Sequence, residues 1–126
     1  MVVRCCLIYI STTLLLIDMV SLKVTVKNFV GESAILPCSY TEDKNQVDKV
    51  FWRHNDSKKV YEFSPGGLQE IKYDIRVESF PEEFVNGNYS IKIKNLEKND
   101  EGEYNCFITP ADHYENIHLI IKDKGL

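Results

Sequence analysis

No basic run in the chain is longer than Lys58-Lys59, and Lys and Arg number 15 against 19 Asp and Glu, for a net charge of −4. A surface that tracks phosphates has no electrostatic basis in such a sequence, and nucleic acid is not an expected partner. Helical apolar periodicity is also missing. Neither an internal repeat nor a low-complexity linker interrupts the chain. Catalytic constellations are equally scarce. His54, His113 and His118 are scattered over a strand end, a loop and a final strand, and no serine or cysteine stands where it would pair with one of them as a nucleophile. His113 and His118, even with Asp112 or Glu115, lack a metal-ligand spacing. Asp74, Glu78, Glu82 and Glu83 read as a solvated acidic face rather than an acid/base pair. The expectation is a protein that is not an enzyme, with no metal, cofactor or small-molecule substrate.

What is present fits one domain behind a targeting segment. The chain has 126 residues, 44% hydrophobic and 27% charged, close to globular averages. Arg4 precedes a charge-free run from Cys5 to Ile17 that ends at Asp18. That run is shorter than the roughly 18 to 20 residues a membrane-crossing helix needs, which favours a cleaved secretory signal. Cleavage after Ser21 is expected, leaving residues 22–126 as the mature domain in the secretory pathway. Four cysteines allow three pairings, but Cys5 and Cys6 leave with the signal, so Cys38 and Cys106 remain to form one disulfide in an oxidising compartment. Two cysteines cannot build a zinc site alone. Closing so long a loop stabilises the fold by about 4 kcal/mol in the chain-entropy model.

Short β-rich runs, alternating apolar and polar, are separated by turn residues at intervals of roughly ten residues, the pattern of an antiparallel sandwich or barrel. Strands are expected at Leu22 to Val26, Ser33 to Ser39, Val50 to His54, Val60 to Phe63, Asp74 to Glu78, Tyr89 to Lys94, Glu103 to Thr109 and Asn116 to Lys122. Gly31-Glu32, Pro65-Gly66-Gly67 and Asn86-Gly87-Asn88 mark turns, and Pro110 to Tyr114 a loop. Ser90, Lys92 and Lys94 are expected to face out, opposite Ile91 and Ile93.

Trp52 follows Cys38 by 14 residues and Cys106 follows it by 68. A core about 10 Å thick can be spanned by a disulfide between facing sheets, with an indole filling the volume beside it. Tyr104, two residues before Cys106, sits where a tyrosine corner would bond back to the preceding turn. The joint spacing predicts an all-β, immunoglobulin-like antiparallel sandwich with one inter-sheet disulfide.

At Gly31, Leu36-Pro37-Cys38, Trp52, Arg76 and Asp100-Glu101-Gly102-Glu103-Tyr104-Asn105-Cys106 the chain resembles the V-set immunoglobulin domains over essentially its whole mature length. The resemblance implies an Arg76–Asp100 ion pair closing one end of the sandwich. The length between Trp52 and Asp100 allows the extra edge strands of a variable-type domain. Tyr73 to Pro81 and Gly87 to Ile93 look most like the membrane-distal domains of co-stimulatory ligands, butyrophilins and myelin oligodendrocyte glycoprotein. The last strand lacks the Gly-x-Gly of antigen receptors.

Two sequons, Asn55-Asp56-Ser57 and Asn88-Tyr89-Ser90, fall at expected turns, Asn55 being the better-placed acceptor. Alternation sends Tyr104, Cys106 and Ile108 inward, so Asn105 and Phe107 face out, and around Trp52 it exposes Phe51 and Arg53. Tyr61 or Phe63 on the neighbouring strand and Tyr114 in the final loop are expected to complete an aromatic outer face of the kind protein partners use. The resemblance implies a cell-surface ligand that binds a receptor on another cell, a lymphocyte receptor, and modulates T-cell activation. The alternatives are a homophilic adhesion module, dimerising through the same sheet, and an innate immune receptor ectodomain. The expected location is the external side of the plasma membrane in a full-length form, or secretion if the protein ends at Leu126.

Overall fold

The computed structural model describes residues 23–43, 46–67 and 69–124. The expected signal segment, with Cys5, Cys6 and the cleavage point after Ser21, lies outside the described residues. The strands are β1 (Val24–Phe29), β2 (Ala34–Leu36), β3 (Lys49–His54), β4 (Lys58–Ser64), β5 (Gln69–Lys72), β6 (Val77–Ser79), β7 (Ile91–Ile93), β8 (Gly102–Thr109) and β9 (His113–Lys122). They form two sheets, ordered β1-β9-β8-β3-β4-β5 and β2-β7-β6. All pairings are antiparallel except β1 with β9, which is parallel.

The sheets face each other because each carries one apolar side. From the larger sheet Val50, Trp52, Cys106, Ile108, Ile117, Leu119 and Ile121 point inward; Leu36, Val77, Ile91 and Ile93 meet them from the smaller. Burying such side chains, each worth about 1.5–3 kcal/mol, drives the packing. Cys38, just past β2, bonds to Cys106 on β8 with Cα atoms 6.4 Å apart. Trp52 sits directly across the ladder from Cys106. Its Nε1–H donates to the Tyr89 carbonyl at 3.2 Å, linking β3 to the chain entering β7.

Several elements differ from the sequence reading. β5 is an exposed edge strand, and without a buried face it shows no alternation. The strand expected at Asp74 to Glu78 is β6, shifted to Val77–Ser79, because Asp74 folds its carboxylate onto the Arg76 N–H at 3.0 Å and turns the chain. β9 begins at His113 rather than Asn116, which puts Tyr114 on a strand. Ser90 is buried, not outward: it precedes β7, its hydroxyl donating to Asn88 Oδ1 and accepting from the Cys38 N–H at 3.1 Å.

Candidate functional site

The outer side of the larger sheet carries a row of side chains fixed by strand register. Tyr114 on β9 pairs with Phe107 on β8, Phe107 with Phe51 on β3, Phe51 with Glu62 on β4, and Glu62 with Ile71 on β5. Five strands at about 4.8 Å spacing make this row roughly 19 Å long. Paired residues share a face, and this face is opposite Trp52 and Cys106. The Phe107 and Tyr114 rings stack with centroids 5.8 Å apart. The Arg53 guanidinium lies 5.7 Å from the Phe107 ring and Lys49 Nζ 5.4 Å from that of Phe51. Tyr114 is 57% exposed and Ile71 51%, while Phe51 and Phe107 are half-buried. Aromatic rings capped by cations keep their apolar faces ordered and add about 0.5–1 kcal/mol per contact at exposed sites.

Two of the expected face residues stand elsewhere, and a third is on the face but covered. Tyr61 is fully buried and Phe63 nearly so, both on the core side. The cause is a bulge: Trp52 pairs with Tyr61 but Arg53 with Lys59, so Val60 is an extra residue that inverts the alternation of β4. Tyr61 reaches through the core to donate to Glu70, with Ser79 Oγ 3.0 Å away; burial, then the Glu70 bond, pushes its phenol up to about 12. Asn105 lies on the outer side but is only 6% exposed, because Asn116, its partner on β9, covers it and accepts from its Nδ2. It forms the floor of a cleft lined also by Asn55, Glu103, Phe107, Tyr114 and Asn116.

Lys49, Glu62 and Ile71 join the face without having been read from sequence. Lys49 follows from alternation with Phe51 and Arg53; Glu62 and Ile71 depend on the bulge and on the edge strand.

At one end of the sandwich Arg76 donates from Nη1 and Nη2 to the two Asp100 oxygens at 2.7 and 2.8 Å, and from Nε and Nη2 to Asp74 at 3.1 and 2.7 Å. Hydrogen bonds from Arg76 hold the Asp74 carboxyl below its usual range. Burial opposes ionisation of Asp100, but Arg76 and the Glu97 backbone N–H outweigh it and the net shift is downward. The Tyr104 hydroxyl donates to the Asp100 carbonyl at 2.6 Å. Its ring stacks on His54, whose Nε2 lies 3.0 Å from the Glu101 carbonyl. His54, expected at a strand end, is the last residue of β3 and is buried here.

The two sequon asparagines differ. Asn55 is exposed in the β3–β4 turn at φ 51°, its Oδ1 accepting from the Glu103 N–H at 3.1 Å. Asn88 is half-buried, its Oδ1 accepting from Ser90. Among the described residues no three His, Cys, Asp or Glu side chains converge as a metal site. No helix among them is long and apolar enough to cross a membrane.

The model of the immunoglobulin V-set domain matches residues 22–119. The chain belongs to the V-set immunoglobulin family. It is 31% identical over 110 residues to a CD276 antigen homolog of Xenopus laevis, covering 82% of this chain and 36% of that protein. Identity to butyrophilin subfamily 1 member A1 of Bos taurus is 28% over 104 residues, covering 76% of this chain and 20% of that protein. With V-set domain-containing T-cell activation inhibitor 1 of Homo sapiens it shares 29% over 99 residues, covering 74% and 35%. These relatives fall in the co-stimulatory ligand and butyrophilin group that Tyr73 to Pro81 and Gly87 to Ile93 resemble. This V-set chain spans between a fifth and about a third of their length.

Proposed function

We propose that this V-set domain is an extracellular recognition module that binds a lymphocyte receptor on another cell and modulates T-cell activation. The observation that carries it is the row Tyr114–Phe107–Phe51, an aromatic strip on the outer side of the six-stranded sheet, half-buried to exposed and flanked by Arg53 and Lys49. Aromatic and arginine side chains of this kind supply most of the energy at protein interfaces, and a sheet gives them a rigid base. The relatives support the same role, one being named as an inhibitor of T-cell activation. Glycan at Asn55, in the β3–β4 turn four residues along the chain from Phe51 and beside the Phe107–Tyr114 end of the row, would leave Phe51 and Ile71 open.

The test is to coat the purified chain beside a stimulus of the T-cell antigen receptor and measure proliferation and cytokine release. A change of either sign is expected, lost in Phe107→Asp, a half-buried outer position where the charge leaves the core intact. No effect of the wild-type chain, or the same effect from Phe107→Asp, contradicts the proposal. Concentration-dependent dimerisation abolished by Phe107→Asp, with no T-cell effect, would transfer the face to homophilic adhesion.

A further inference from the structure

Beside Phe107 the outer face opens into a cleft of about 450 Å³, within the ~300–1,000 Å³ of ligand-binding clefts. Its walls divide by chemistry. On one side stand the stacked rings of Phe107 and Tyr114. On the other are the side chains of Asn55, Glu103 and Asn116, with Asn105 as the floor. Asn105 Nδ2 donates to Asn116 Oδ1, but the buried Asn105 Oδ1 has no hydrogen-bond partner among the described residues. A buried acceptor left without a donor is costly, and a ligand hydroxyl that displaces the Asn116 side chain covering Asn105 would remove that cost.

A pyranose ring meets both walls: its C–H face packs on an aromatic ring while its hydroxyls donate to and accept from amides and carboxylates. Asp56 also lines the cleft and its carboxylate disfavours an anionic sugar, while the Glu103 carboxylate is paired with Lys23. We propose that this cleft binds a neutral saccharide, stacked on Phe107 and Tyr114 and hydrogen-bonded to Asn105, Asn116 and Glu103. Two sources offer that chemistry. One is a glycan on a partner molecule. The other is tethered: Asn55 is a sequon residue on the cleft wall, and a glycosidic bond to its Nδ2 leaves Oδ1 free to keep the Glu103 N–H. A short tether raises the local sugar concentration to the millimolar range, enough for a weak site. The inference shares Phe107 and Tyr114 with the receptor reading but does not rest on it, since it is carried by the cleft beside them and by Asn105.

The test uses the chain secreted from mammalian cells, as wild type and as Ser57→Ala, which removes the sequon but keeps the Asn55 side chain. Each is titrated with N,N′-diacetylchitobiose and with methyl α-mannoside, followed by saturation-transfer difference NMR. Ser57→Ala is expected to bind at least one of them with a dissociation constant of about 0.1–10 mM. Adding Tyr114→Ala, an exposed position, weakens that binding roughly tenfold with the fold retained. Binding by Ser57→Ala but not by wild type assigns the cleft to the tethered glycan. Equal binding by both assigns it to a saccharide in trans. No transfer to either sugar from Ser57→Ala, or unchanged binding in the Tyr114→Ala double variant, overturns the proposal.

Discussion

A side chain at Gly102 would be strained: its φ is +137°, and a Cβ there would lie 2.6 Å from Asn55 Oδ1, which would have to shift. Gly102→Ala is expected to cost about 2 kcal/mol, seen by calorimetry as a midpoint roughly 10 °C lower. The aromatic residues sort by depth in the same way. Phe63→Ala empties a core position against Phe84 and Tyr89 and is expected to cost about 3–4 kcal/mol. Phe107→Ala removes a half-buried outer ring and should cost no more than about 1 kcal/mol in urea unfolding. Comparable losses for the two would contradict the face assignment. At this scale alternation from Trp52 and Cys106 was sufficient for Phe51, Arg53 and Phe107, whose strands run in regular register. It failed for Tyr61 and Phe63, since one extra residue at Val60 reverses every side chain beyond it and leaves no mark in composition.

The elements that resist sequence reading are those held by side chains rather than by a buried face. β5 has no inward residue to alternate, and the segment before β6 is turned by Asp74 gripping Arg76. The same Asp74–Arg76–Asp100 cluster makes a pH prediction. Both carboxyls are depressed in the folded state, so their contribution is full above the unfolded value of about 4 and is lost as pH falls through the folded values. Stability should be flat from about pH 7 to 5 and decline steeply below about pH 4. Asp100→Asn is expected to lose about 2–3 kcal/mol at pH 7, less than a fully buried pair because the Arg76 side chain retains 21% exposure, and to show a shallower acid decline. Urea midpoints at pH 7, 4 and 3 check both parts. An unchanged acid slope in Asp100→Asn would remove the cluster from the account.

For the molecule as a whole, the spacing of Cys38, Trp52 and Cys106 was enough to indicate two facing sheets, because only a few arrangements place two half-cystines and an indole together in a core 10 Å thick. Replacing both cysteines by alanine is expected to cost about 2–4 kcal/mol in urea unfolding. The cleft was less legible, since it depends on Asn116 covering Asn105 and on the Asn55 turn lying over Gly102, the latter 47 positions apart (102 − 55). The central claim is that the outer side of the six-stranded sheet is the recognition surface. Its most direct test is staining of resting and activated T cells with tetramers of the wild-type chain and of Phe107→Asp, each first confirmed as folded by its thermal midpoint. Saturable staining by the wild type that Phe107→Asp abolishes is the predicted result; equal staining by both would place recognition on another surface.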